Sequence, residues 1–195
     1  NHYLTDIIDS RGIKVARNEY DDNGRLIATI DANGNRLEFS HDIEGRQDVV
    51  TDRLGHSTVY IYDGRGNVIS ETDALGNTTL STYDSYGNLK TKTDALGNVT
   101  TYNYDAQGNL LSMTNALGET VNNTYTEKGQ LKTITSMGVT QFVVDYDNFG
   151  NLTNTTDAEG NETKYQYDLK GRVTSITDGI GSHMQMSYDS GGRVV

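Results

Sequence analysis

The chain of 195 residues contains no cysteine, no proline and no tryptophan, and only three phenylalanines. Without cysteine there is neither a disulfide framework nor a thiol nucleophile, an absence that assigns no compartment by itself. No apolar run is long enough to cross a membrane as a helix, and no signal-like segment opens at Asn1. Basic residues are also scarce: 16 Lys and Arg stand against 27 Asp and Glu, a formal net charge of −11, and they form no stripe. That excludes a phosphate-neutralising surface, so nucleic acid is not an expected partner. Hydrophobic residues make up only 34% of the chain, a content that alone would be compatible with disorder.

What is present is a period. Tyr20, His41, Tyr62, Tyr83, Tyr104, Tyr125, Tyr146, Tyr167 and Tyr188 lie 21 residues apart, and an aspartate follows each except at Thr126. Four places after each register position stands a glycine, at Gly24, Gly45, Gly66, Gly87, Gly108, Gly129, Gly150, Gly171 and Gly192. A disordered chain has no reason to keep such a register. A fixed period of this length means a repeat array in which each unit is completed by its neighbours.

The unit reads as a β-hairpin. Runs rich in Thr, Tyr, Val and Leu, such as 88–93 and 99–104, are bounded by Asp, Asn and Gly, which predicts strands near 25–30 and 36–41 and at the same spans advanced by 21. Two turns close each unit: one follows the register position, as at 105–108, and the other begins at Asp73, Asp94 or Asp157. The glycines are expected to supply a positive φ, and each leading aspartate to accept hydrogen bonds from backbone N–H groups two or three residues ahead. Parity predicts the faces. Thr79, Ser81 and Tyr83 share one face of their strand, and by the same rule Leu89, Thr91 and Thr93 join it from the next.

Length per unit is held even where turn chemistry changes. The turns at Ser10-Arg-Gly12 and Ser136-Met-Gly138 read as one residue short, with the lost residue returned in the following strand as an earlier start or a bulge. The expected fold is therefore all-β, with 21-residue β-hairpin repeats in one long antiparallel sheet. Roughly eighteen strands at about 4.8 Å would make a ribbon on the order of 85 Å wide, which must coil to satisfy strand twist. Residues 1–195 read as a single array of about nine units, expected to be truncated or continued at both ends, because the pattern runs through Gly192-Arg-Val-Val195 without a cap.

The unit G-x-L-x-x-x-T-D-A-x-G-N-x-T-x-x-x-Y-D resembles the tyrosine–aspartate repeat, also called the RHS repeat, from about Gly24 to Val194. The resemblance implies a segment of a long array that coils into a hollow β-shell or spiral. Bacterial relatives of this kind are shells of insecticidal toxin complexes and polymorphic toxins that enclose a toxic domain; others sit on cell walls, and teneurins use a similar shell in adhesion. It implies a secreted or cell-surface location, and as partners further repeats, other copies of the chain, an enclosed toxin domain or a cell-surface molecule. Departures from the pattern are His41 for tyrosine, Thr126 for aspartate, and Asn115 and Ser136 for the turn aspartate. Each keeps a polar group and reads as tolerated variation. Nothing after Gly171 resembles the autoproteolytic segment of such shells.

No catalytic constellation is visible. Asp73, Asp94 and Asp157 recur in near-identical surroundings, whereas catalytic carboxylates are told apart by unlike ones. His2, His41, His56 and His183 fall at unrelated phases, which argues against zinc, and each acidic loop offers calcium one carboxylate where six to eight oxygens are needed. No cofactor or metal is expected. Two functions compete: a non-enzymatic segment of a toxin-encapsulating shell, and a structural or adhesive surface protein forming a wall, stalk or fibre. The tyrosines and turn residues are structural in both.

Overall fold

A computed structural model describes residues 3–195; His2 lies outside them. Among the described residues there are eighteen strands and no helix. The chain divides into two units, Asn1–Val99 and Thr100–Val195. The first holds β1 (Asp6–Ile8), β2 (Lys14–Tyr20), β3 (Leu26–Asp31), β4 (Arg36–Asp42), β5 (Gln47–Thr51), β6 (Ser57–Tyr62), β7 (Val68–Thr72), β8 (Thr78–Tyr83) and β9 (Leu89–Thr93). The second holds β10 (Val99–Tyr104, less its first residue), β11 (Leu110–Thr114), β12 (Thr120–Tyr125), β13 (Leu131–Ser136), β14 (Val139–Tyr146), β15 (Leu152–Asp157), β16 (Glu162–Tyr167), β17 (Val173–Thr177) and β18 (His183–Gln185). Within each unit every strand pairs antiparallel with the next in sequence.

One turn recurs on both edges of the ribbon. At 73–77 the Asp73 N–H donates to Asn77 O at 3.0 Å and the Gly76 N–H to Asp73 O at 3.0 Å. This is a three-residue hairpin loop, a type I turn completed by a left-handed residue, and Gly76 fills that place at φ +85°. Asp73 Oδ1 accepts from the N–H groups of Leu75 and Asn77, both at 2.9 Å, while its Oδ2 accepts from Asn77 Nδ2 at 2.8 Å. The loop at Asp63 repeats this arrangement on the other edge.

A bulge sits beside the register tyrosine in most units. Tyr83 faces Leu89, yet Thr82 faces Thr91, leaving Lys90 as the extra residue. The same step occurs at Tyr20, Tyr62, Tyr104, Tyr125, Tyr146 and Tyr167. An odd period demands it. Side chains alternate with a period of two, so a repeat of odd length keeps equivalent residues on one face only if each unit contributes one extra step. Its effect is visible across β8: Ser70 faces Leu80 and Leu80 faces Thr93, whereas the equivalent of Ser70 one period later is Thr91. Equivalent positions therefore share a face and slip by two residues, about 7 Å, per hairpin.

The bulge overturns the parity expectation for the first strand of each hairpin. Leu89 does share the face of Tyr83, but Thr91 lies on the other side, its hydroxyl 2.6 Å from that of Thr82. Asn154 likewise stands opposite Lys164, away from Tyr165. Similar hydroxyl pairs join Thr72 to Thr78 at 3.0 Å, Thr114 to Thr120 at 2.8 Å and Thr124 to Thr133 at 2.7 Å.

Two loops depart from the pattern while restoring register, and a third keeps the pattern one place early. After β4 the loop holds four residues, with Asp42 facing Gln47 and no bulge. The positive φ expected at Gly45 falls instead on Arg46, at +51°. An extra loop residue replaces the extra strand residue, which moves the left-handed position one place along. After β13 the loop shrinks to Met137 and Gly138, both with positive φ (49° and 81°) as a type I′ turn requires, and a bulge near Ile134 returns the residue. The opening turn is not short. It starts at Asp9, whose N–H donates to Ile13 O at 2.9 Å, and an irregularity at Ile7/Ile8 absorbs the difference.

There is almost no core. Among the described residues only Ala28, Val144 and Ser175 are buried. Within each unit a strand touches only the strands before and after it, so no second layer covers either face. Stability then comes from neighbour-to-neighbour pairing summed along the array rather than from a shared interior.

Candidate functional site

The register residues line one edge of the ribbon beside the bulges. Tyr20, Tyr83, Tyr125 and Tyr188 each reach back to a carbonyl in the segment before their own strand. Tyr83 Oη donates to Val68 O at 3.0 Å, Tyr125 Oη to Leu110 O at 2.9 Å and Tyr188 Oη to Val173 O at 2.7 Å. Tyr20 does the same to Leu4 O at 3.0 Å, and its ring stacks on Tyr3 with centroids 4.9 Å apart. Val68, Leu110 and Val173 each open their strand, where the bulge on the far side has broken the ladder, so the hydroxyl occupies a backbone acceptor that a regular sheet would have paired. Arg172 adds its guanidinium over Tyr188, 4.4 Å from the ring centre.

The turn glycines and aspartates flank this line. Gly24, Gly66, Gly87, Gly108, Gly129, Gly150, Gly171 and Gly192 all have positive φ, between 74° and 91°. Asp63 is held down to about 2 by the Asn67 side-chain amide first and the Asn67 backbone N–H second. Asp73, Asp94 and Asp157 are lowered by the same pair of groups from Asn77, Asn98 and Asn161. The recurring asparagine was visible in the sequence four places after Asp63, Asp73, Asp94 and Asp157, though its side chain's part in clamping the carboxylate was not read from it. Asn115 substitutes by accepting from Leu117 and Glu119 N–H, both at 3.0 Å. Thr126 keeps one such bond, to Gln130 N–H at 3.2 Å.

One register position differs in chemistry. His41 Nε2 lies 2.9 Å from Leu26 O, where other copies place a tyrosine hydroxyl, and its Nδ1 lies 2.8 Å from Asp48 Oδ1. Tyr62 Oη donates to the other oxygen of Asp48 at 3.1 Å. The Leu26 carbonyl first, and Asp48 second, raise the ring's pKa.

An open cleft of about 610 Å³ between the turns at Asp147 and Asp168 is lined by Phe149, Tyr165, Tyr167 and Leu169. Both of its carboxylates are held ionised, Asp147 first by Asn151 and Asp168 first by Arg172, so neither stores a proton for acid catalysis. Among the described residues no group of three or more His, Cys, Asp or Glu could hold a metal ion, and no helix is long and apolar enough to cross a membrane.

The RHS Repeat family model matches at residues 20–50, 49–78, 83–120 and 146–183, well over half of the chain. The chain belongs to the RHS repeat family. Solved structures similar to these RHS repeats include the Photorhabdus luminescens Tc holotoxin pore, 16% identical with a TM-score of 0.38 over 92% of this chain and 15% of that one. A TcdB2–TccC3 crystal structure is 15% identical with a TM-score of 0.42, covering 97% of this chain and 16% of that one. A porin-like protein from Bacteroides uniformis is 13% identical with a TM-score of 0.27, covering 97% and 86%. The chain thus spans about a sixth of the length of the Tc chains it matches. No curated protein matches it. The chain is a structural RHS scaffold, an all-β array of antiparallel hairpins.

Proposed function

We propose that these RHS repeats are a stretch of wall in a secreted or surface-delivered bacterial shell that encloses a toxin domain. The observation that carries this reading is a family repeat folded one strand thick, with almost no interior of its own and identical turns on both edges. Such a strip separates two spaces without holding a site in either. Its task is mechanical: residues 1–195 act as one continuous array, the edge strands pair with further repeats of the same chain or with other copies, and the protein works outside the cell without a catalytic step. The turn aspartates support this, because Asp63, Asp73, Asp84 and Asp94 each accept from the N–H groups of their own loop.

Electron cryo-microscopy of the native assembly that contains these repeats tests it. A closed hollow body with density inside is the expected image. An extended filament, or an open spiral whose repeat ends meet between copies, would overturn encapsulation in favour of a wall, stalk or adhesive fibre.

A further inference from the structure

Three departures from the repeat coincide in one hairpin. Histidine replaces tyrosine at His41; the following loop takes the extra residue that elsewhere makes a bulge; and Asp48 stands where other units carry Ile69, Lys90, Leu111 or Lys132. The second departure gives the third its meaning. Lys90 and Lys132 are the extra residues of their bulges, but with the bulge gone Asp48 drops into direct register with His41. The aspartate therefore reaches the imidazole only because the loop changed.

We propose that His41, Asp48 and Tyr62 form a pH-sensitive clasp across β3 to β6, closed while the imidazole carries two protons and released when it loses one. The geometry supplies the reason. Leu26 O is a carbonyl that can only accept, and Asp48 already accepts from Tyr62 Oη, so both ring nitrogens at 2.9 and 2.8 Å must donate. A neutral imidazole has one N–H and would turn a lone pair toward one of these oxygens. In the units of Tyr83, Tyr125 and Tyr188 the equivalent carbonyl is met by a phenol, which keeps its proton far above neutral pH. Among the described register positions only His41 brings to this carbonyl a side chain that titrates near neutrality.

The groups facing the ring come from each neighbouring segment. Asp48 on β5 favours the charged form, Arg25 at the entry to β3 opposes it, and Tyr62 on β6 meets the ring only through Asp48. Arg25 is itself 3.9 Å from Asp21, which softens its opposition. The carbonyl and Asp48 prevail and raise the pKa. A raised folded value means the clasp's contribution is complete below the ordinary histidine value of about 6.5 and disappears as pH climbs through the folded value.

The imidazole titration, followed by NMR in the whole chain, should have its midpoint above about 6.5, and Asp48→Asn should lower that midpoint. The urea midpoint of the native chain should fall between pH 6 and pH 8.5, while His41→Tyr, which restores the phenol of the other units, should lose that fall and leave the remaining pH dependence unchanged. A wild-type ring midpoint at or below the ordinary value overturns the clasp, as does an equal fall in the native chain and His41→Tyr. If His41→Tyr does not fold, the ring titrations of the native chain and Asp48→Asn decide the matter. Failure of the clasp would leave the scaffold reading intact, since imaging tests that separately.

Discussion

Gly76 offers a way to measure what the repeated turn costs any other residue. Its φ is +85°, its N–H donates to Asp73 O at 3.0 Å, and a Cβ built on it would meet nothing within 4 Å. Steric clash with neighbours is thereby removed, and a substitution reports on backbone conformation alone. Gly76→Ala should cost about 1 kcal/mol, the left-handed penalty for an L-residue less the entropy that alanine removes from the unfolded chain. Gly76→Val, β-branched at a positive φ, should cost more, on the order of 2–3 kcal/mol. Gly76→Asn should cost only a few tenths of a kcal/mol, because asparagine tolerates this region through local hydrogen bonds. The assay is urea unfolding with the slope compared alongside the midpoint, since a lower midpoint at unchanged slope is a true loss of stability. The order Asn, Ala, Val is the test. If valine unfolds with the native midpoint, or asparagine is as damaging as valine, the conformational account of the turn is wrong.

Met137 is the mirror case: it holds a positive φ of 49° while 73% exposed, so Met137→Asn should raise stability by roughly 0.5–1 kcal/mol, read from a higher urea midpoint. Tyr83→Phe removes only the 3.0 Å bond to Val68 O and should cost about 1 kcal/mol, whereas a native midpoint would show that water replaces the phenol without loss. The turn carboxylates predict acid sensitivity. Their folded pKa values lie below the ordinary carboxylate value, with Asp63 at about 2, so their contribution is complete above about pH 4 and drains away as pH falls toward 2. Circular dichroism should show the strand signal lost over that interval. Asp73→Asn, which copies the natural Asn115 turn, should make the loss shallower.

Period and turn chemistry were readable because they rest on local rules. An aspartate, a glycine three places on and an asparagine after it specify one loop, and that loop fixes which residues face each other at its mouth. β3 and β4 accordingly fall within a residue of the spans read from the sequence. The faces of the first strands were not readable by simple alternation. Thr91 was expected beside Tyr83 and lies beside Thr82, because alternation fails wherever a strand carries an extra residue. The signal was nonetheless present: two hairpin loops of equal length joined into an odd period leave one residue over in every unit.

Asp48 marks the limit of reading by register. Its periodic equivalents, Ile69, Lys90, Leu111 and Lys132, share no chemistry with it, and nothing in its own unit points to His41. The link appears only when the loop after β4 is seen to hold the extra residue, which changes the partner across the strand without changing the length of the unit. The same exchange explains why the Met137-Gly138 loop can be shorter and the turn at Asp9 can sit one place early. Loop and strand trade a residue, and the pairing beyond them continues. In an array with almost no core, what has to survive substitution is the alignment of each hairpin with the next, because that alignment carries the stability. A scaffold built this way can take a titrating residue into one hairpin while its neighbours keep their phenols, so a local response to pH need not weaken the rest of the array.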